Sequence, residues 1–159
     1  MIDGKVAVAV VGCGGMGGGH AVAIATGSGQ ALWMTDGSKG RELLPGDTDL
    51  TTKMVLAGTY DIKEDRQEWA RKQGFFTYNS FEDILADERV DVVLVATPND
   101  DHKELSIRAM RAGKNVLCEK PAARTYGEAL EMQKVQHETG KVLNIGVVNR
   151  FNDGVNRIK

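Results

Sequence analysis

Residues 6–11 are valine and alanine without a polar interruption. A short apolar run of this kind is the pattern of a strand covered on both faces, as in a parallel sheet. Similar runs recur at 91–96, 115–118 and 142–148, with shorter or more mixed versions at 55–60 and 75–78. Between them the chain turns polar, with apolar residues at helical spacing. A helix is expected from Gly15 to about Ala25. A charged helix over 64–73 carries Trp69 on its inner face and is closed by Gly74. Ser80 with Asp83 starts a small helix as a variant of the capping box, and Thr125 with Glu128 opens another that Gly140 stops. Over 101–112, Leu105, Ala109 and Ala112 share one face and Gly113 ends the helix; residues 153–159 read as the start of a further one.

Strands and helices therefore alternate, which predicts an α/β fold with a doubly wound parallel sheet. Right-handed crossovers give six strands the order 3-2-1-4-5-6. One stretch breaks the rhythm. Residues 26–53, dotted with Gly27, Gly29, Gly37, Gly40, Pro45 and Gly46, read as an insertion or long loop. Residues 1–148 then form one domain, within reach of a chain of 159 residues.

Composition narrows the partners. A net charge of −2 and a pI near 5.9 provide no general attraction to nucleic acid or anionic membrane. No apolar stretch approaches the length of a membrane span. Lys5, the run 6–11 and Gly12-Cys13 imitate a lipoprotein signal, but the run is too short for export and the glycines continue as a turn. The two cysteines, Cys13 and Cys118, lack CxxC spacing and fit a reducing cytoplasm. No set of residues has metal-ligand spacing, and no GxxxxGK[ST] phosphate loop is present.

Gly12, Gly14 and Gly17 have GxGxxG spacing, between a buried strand and a helix. Such glycines allow a tight turn, close approach of a pyrophosphate, and close helix–strand packing, while the helix N-terminus favours an anion. In that context the pattern indicates an NAD(P)-binding Rossmann fold. Asp61 ends the second strand, where the acid bonding the adenosine ribose belongs. It lies well beyond the roughly 20 residues usual after the glycines, and the insertion accounts for the surplus. Asp36 is nearer that distance but sits in a turn, and Asp61 could instead cap the helix at Glu64. An acid there favours NAD over NADP, a preference that Lys63 and Arg66 blur.

A second signal is 115–118 running into Glu119-Lys120-Pro121. Proline stops the strand and leaves a charged pair at the carboxyl edge of the sheet, where open α/β folds bind ligands. Lys120 is the candidate catalytic residue, since an ammonium there can donate to a reacting oxygen. A surface lysine paired with Glu119 is the plainer alternative, and a cis bond before Pro121 is open. His20 falls early in the first helix, near where a pyrophosphate would lie, with a structural or solvent role as the alternative, and His137 reads as exposed.

Four segments together resemble the N-terminal domain of the glucose–fructose oxidoreductase and inositol dehydrogenase (Gfo/Idh/MocA) family. They are Gly12-Cys13-Gly14-Gly15-Met16-Gly17 with His20, Thr97-Pro98-Asn99 followed by His102, Ala112-Gly113-Lys114 leading into Glu119-Lys120-Pro121, and Asn149-Arg150-Phe151. The resemblance implies that Lys120 contacts a substrate hydroxyl and Glu119 lies beside the nicotinamide. It also places Thr97, Pro98 and Asn99 against the dinucleotide, with His102 just beyond and Arg150 near the cofactor or a domain junction. It implies a hydride moved between NAD(P) and a carbinol carbon of a small-molecule substrate such as a sugar or cyclitol. Family members carry a second α/β domain that holds the substrate pocket and the oligomer-forming sheet. Residues 149–159 would begin the connection to it, homo-oligomers would form through it, and this chain alone would turn over little. The alternatives are a stand-alone nucleotide-binding sensor and, last, a methyltransferase, in which Glu119-Lys120-Pro121 would have no task.

Overall fold

The computed structural model describes residues 1–27 and 49–147. In these, β1 (Val6–Val11), β2 (Met54–Tyr60), β3 (Val92–Val95), β4 (Asn115–Cys118) and β5 (Leu143–Ile145) form one parallel sheet ordered β2-β1-β3-β4-β5. The helices between them are α1 (Gly15–Thr26), α2 (Glu64–Lys72), α3 (Phe81–Ala86), α4 (Asn99–Arg111) and α5 (Tyr126–Thr139).

The side-chain period of two along each strand builds a layer on each face. Ala9, Val11, Val93, Val95, Val116 and Cys118 pack with Phe81, Ile84, Met110, Met132 and Val135 of α3, α4 and α5. Val8, Val10 and Leu94 face the other way, onto Ala21 and Ile24 of α1. Both faces are covered, which is why these strands read as uninterrupted apolar runs. Each fully buried valine or leucine contributes about 1.5–3 kcal/mol relative to exposure.

The strand expected at 75–78 contracts to a bridge. A single parallel bridge joins Thr77 to Thr59, with Thr59 N donating to Phe76 O and Tyr78 N to Thr59 O. The segment has little room, lying between Gly74 and the Ser80 cap, and its Phe76 and Tyr78 rings fold over Gly58 instead of extending a ladder. With that strand reduced to a bridge beside β2, the remaining five keep the expected order. Between Val8 and Ala9 the β1–β2 register skips Ala57, a bulge in β2.

The expected caps are present. Ser80 and Asp83 form a reciprocal capping box, Thr125 accepts from the Glu128 amide, and Gly140 closes α5 in the left-handed region. Two further elements differ from expectation by two residues or more. Helix α4 begins at Asn99, two residues early, because Asp100 and Asp101 suit a first helical turn. The last strand, expected over 142–148, covers Leu143–Ile145 among the described residues, which end at 147, and lies at the sheet edge with one neighbour to pair with. Of the 26–53 insertion, Thr26 ends α1, Gly27 caps it, and Asp49 caps a 3-10 turn at Leu50–Thr52. Gly27 lies directly against the Asp49 side chain. Residues 28–48, the rival Asp36, Arg150, and the expected helix at 153–159 lie outside the described residues.

Candidate cofactor and active site

Parallel pairing delivers five strand ends to one edge. There the ladder continues into the loops: Gly12 N donates to Tyr60 O, Ala96 N to Val11 O, Glu119 N to Val95 O and Gly146 N to Cys118 O, at 2.8–2.9 Å. The loops that carry the candidate residues are therefore fixed by the sheet itself.

The three glycines have different physical tasks. Gly12 has φ +90°, and a Cβ there would stand 2.6 Å from the Ala96 carbonyl oxygen. At Gly17 a Cβ would overlap the Gly12 carbonyl oxygen, so α1 can pack on the turn only without a side chain. At Gly14 and Gly15 a Cβ would meet nothing within 4 Å. Those two bare positions face open space at the start of α1, the described helix that has no acid in its first turn. A dinucleotide's pyrophosphate needs that combination of bare backbone, free helix N–H groups and positive helix end. The residues present fit the cofactor. Met16 is half-buried in the first turn.

Asp61 stands at the end of β2, as expected, and its carboxylate is tied to the turn. Cys13 N donates to one oxygen at 2.6 Å and Lys63 N to the other at 2.9 Å. Each oxygen keeps acceptor capacity for a ribose hydroxyl. The Cys13 side chain points inward, 2 % exposed, and burial pushes its thiol up to about 11. Its Sγ lies 3.7 Å from Tyr60 O at the end of β2, while its backbone N–H braces the turn.

Across the edge, Thr97 is half-buried while Pro98 and Asn99 are exposed. His102 is 1 % exposed, with Nδ1 2.7 Å from Pro121 O and Nε2 2.9 Å from Thr97 O. An imidazole with one N–H donates to one of these carbonyls at a time, and an imidazolium to both. The ring's nitrogens are thus taken up by backbone. The residue joins the Thr97 and Pro121 turns, just beyond the Thr97-Pro98-Asn99 segment.

The Lys120–Pro121 bond is cis. Lys120 is exposed, and its ammonium makes no hydrogen bond or ion pair among the described residues. Glu119 is 9 % exposed and does not pair with the lysine ammonium. One carboxylate oxygen lies 2.8 Å from His20 Nε2, and the other accepts from the Lys120 backbone N–H at 3.1 Å. Gly146 closes over the carboxylate; a Cβ there would sit 3.4 Å from Glu119 Cδ. Sequence reasoning missed the His20–Glu119 contact, which spans 99 residues of chain.

Elsewhere, an open cavity of about 350 Å³ lies at the amino end of β2, lined by Lys5, Ile24, Met54, Leu56, Phe75 and Phe76, away from the strand ends above. Among the described residues, no group of His, Cys, Asp and Glu could hold a metal ion, and no helix is long and apolar enough to cross a membrane.

Comparison with known proteins agrees with this geometry. Over 92 residues the chain is 36% identical to 2,7-anhydro-N-acetylneuraminate hydratase of Escherichia coli K12, covering 58% of this chain and 25% of that protein. Over 83 residues it is 31% identical to inositol 2-dehydrogenase of Salmonella typhimurium, covering 52% of this chain and 25% of that protein. Among solved structures, the WlbA dehydrogenase from Chromobactrium violaceum, in complex with NADH and UDP-GlcNAcA, superposes with a TM-score of 0.77 at 26% identity. That superposition covers 100% of this chain and 40% of the other. The chain thus spans a quarter of the length of these curated relatives and two fifths of that dehydrogenase. The GFO_IDH_MocA family model, described as an oxidoreductase family with an NAD-binding Rossmann fold, matches residues 6–147, and the chain belongs to that family.

Proposed function

We propose that this chain is the cofactor-holding part of an NAD(P)-dependent oxidoreductase that moves a hydride between nicotinamide and a carbinol or carbonyl carbon. The substrate class we favour is a sugar, cyclitol or related polyol. A relative named for inositol and a solved neighbour that holds UDP-GlcNAcA support it.

The single observation that carries this reading is the position of Lys120. A bare-backbone turn suited to pyrophosphate and a lysine with no side-chain partner share one sheet edge, two strands apart. Gly14, Gly15 and the first turn of α1 would hold the pyrophosphate, Asp61 the adenosine ribose, and Thr97, Pro98 and Asn99 the middle of the dinucleotide. Met16 and Gly12 shape the turn. Glu119 and Arg150 belong toward the nicotinamide end in this reading. The bound cofactor supplies a hydride acceptor or donor. Lys120 carries a proton at Nζ, which it donates to the carbonyl oxygen in reduction and, as the neutral amine, takes from the hydroxyl in oxidation. The substrate pocket belongs to a further domain that residues 149–159 would lead to.

The test is NADH fluorescence on mixing with the folded chain and with Asp61→Ala. We expect an emission change that saturates in the wild type and is weakened at least tenfold in the variant, since hydrogen bonds to a charged carboxylate are worth about 1.5–3 kcal/mol. A folded wild type that leaves NADH emission unchanged would contradict the proposal.

A further inference from the structure

The geometry points to His20 and His102 as positioning residues that fix the Lys120 turn from both sides, an inference that rests on the reading of Lys120 as the proton-carrying group. The ammonium of Lys120 hangs on four rotatable carbons and touches no partner among the described residues. What the protein can fix is where the backbone of Lys120 stands, and both flanks are fixed.

On the upstream side, His20 Nε2 donates to Glu119 Oε1 at 2.8 Å, and Glu119 Oε2 accepts from the Lys120 amide at 3.1 Å. Burial makes that chain obligatory. The Glu119 side chain is 11 % exposed, and a carboxylate removed from water requires hydrogen-bond partners. With Gly146 against its other side, the carboxylate has little freedom to turn away. On the downstream side, His102 Nδ1 meets Pro121 O at 2.7 Å while Nε2 meets Thr97 O at 2.9 Å. Lys120 is therefore held between residues tied to two helices, α1 and α4.

Those helices are the ones that begin in the dinucleotide turns. His20 is the sixth residue of α1, which opens from the glycine turn, and His102 is the fourth of α4, which opens from Thr97-Pro98. Each histidine thus ties a cofactor-holding turn to the lysine turn. A nicotinamide placed by the first two would find Lys120 at a set distance.

Amide hydrogen exchange read residue by residue by NMR on the 159-residue chain, without cofactor, tests this. His20→Leu, at a side chain 33 % exposed, should leave exchange in β1 and β3 unchanged and speed it roughly tenfold at Lys120. His20→Gln keeps a donor and should restore most of that protection. Unchanged exchange at Lys120 in His20→Leu, or equal acceleration throughout the core, would overturn the inference. For His102, which is buried, the wild-type ring is observed directly. A slowly exchanging ring N–H is expected, and ring protons that exchange as fast as those of His137 would overturn its part. Because no cofactor is present, these results stand apart from whether NADH binds.

Discussion

The backbone amide of Cys13 donates to the Asp61 carboxylate at 2.6 Å, so the acid expected to read a ribose also holds the glycine turn. The two tasks are inseparable by simple deletion. Asp61→Ala should lower stability by about 1–3 kcal/mol, because the Cys13 amide loses a charged acceptor. Asp61→Asn offers Cys13 a neutral oxygen and should cost less than the alanine. Urea midpoints of the three proteins, measured together with NADH titrations, separate the bracing task from the binding task.

Gly14 and Gly17 should respond in opposite ways to the same added methyl. Gly17→Ala forces a Cβ into the Gly12 carbonyl oxygen and should destabilise the fold by about 1–3 kcal/mol or more. Gly14 has an extended backbone, φ −69° and ψ −166°, and open space beside it. Gly14→Ala should fold with an unchanged thermal midpoint, within a degree or two, yet bind NADH more weakly. Thermal melts with and without NADH check both.

Both cysteines should be silent to thiol reagents in the folded protein. Burial pushes the Cys13 and Cys118 thiols up to about 11, so little thiolate exists near neutral pH, and neither sulfur is open to solvent. Labelling by iodoacetamide at about pH 8 should follow global opening and speed up with urea. Rapid labelling of Cys13 in the native protein would show that the glycine turn opens locally.

The acid limb of stability should depend on Asp87. Arg89 donates to both of its oxygens, at 2.9 and 2.8 Å, and Tyr78 OH donates at 2.9 Å; together they hold the carboxyl well below the usual range. A lowered folded value contributes stability that is complete above the ordinary aspartate range, near about 3.9. It is lost as pH falls from there toward the folded value. Urea midpoints should therefore drop below about pH 4 in the wild type, and less steeply in Asp87→Asn.

The sequence pattern anticipates the elements that obey local rules. The runs at 6–11 and 115–118 are strands because both faces are covered, and Ser80, Thr125 and Gly140 act where they stand. The GxGxxG spacing implies a division of labour that the added Cβ atoms separate: Gly17 packs, Gly12 turns, Gly14 stays open. Contacts between distant segments escape local reading. His20 reaches Glu119 because β1 and β4 end at the same edge with β3 between them, a fact of sheet order and not of spacing. The Glu119–Lys120 ion pair suggested by adjacency fails for a related reason. The buried carboxylate turns to His20 and to the backbone, leaving the ammonium outside. At 75–78, β-favouring aromatics suggest a strand, but Phe76 and Tyr78 spend their rings on Gly58.

The most direct test of the account is a map of amide shifts when NADH is added to the isotopically labelled chain. The account predicts saturable changes at Gly14, Gly15, Asp61, Thr97, Asn99 and Lys120, and none in the cavity at Lys5, Met54 and Phe76. Changes gathered at that cavity instead, or no saturable change in a folded chain, would contradict it.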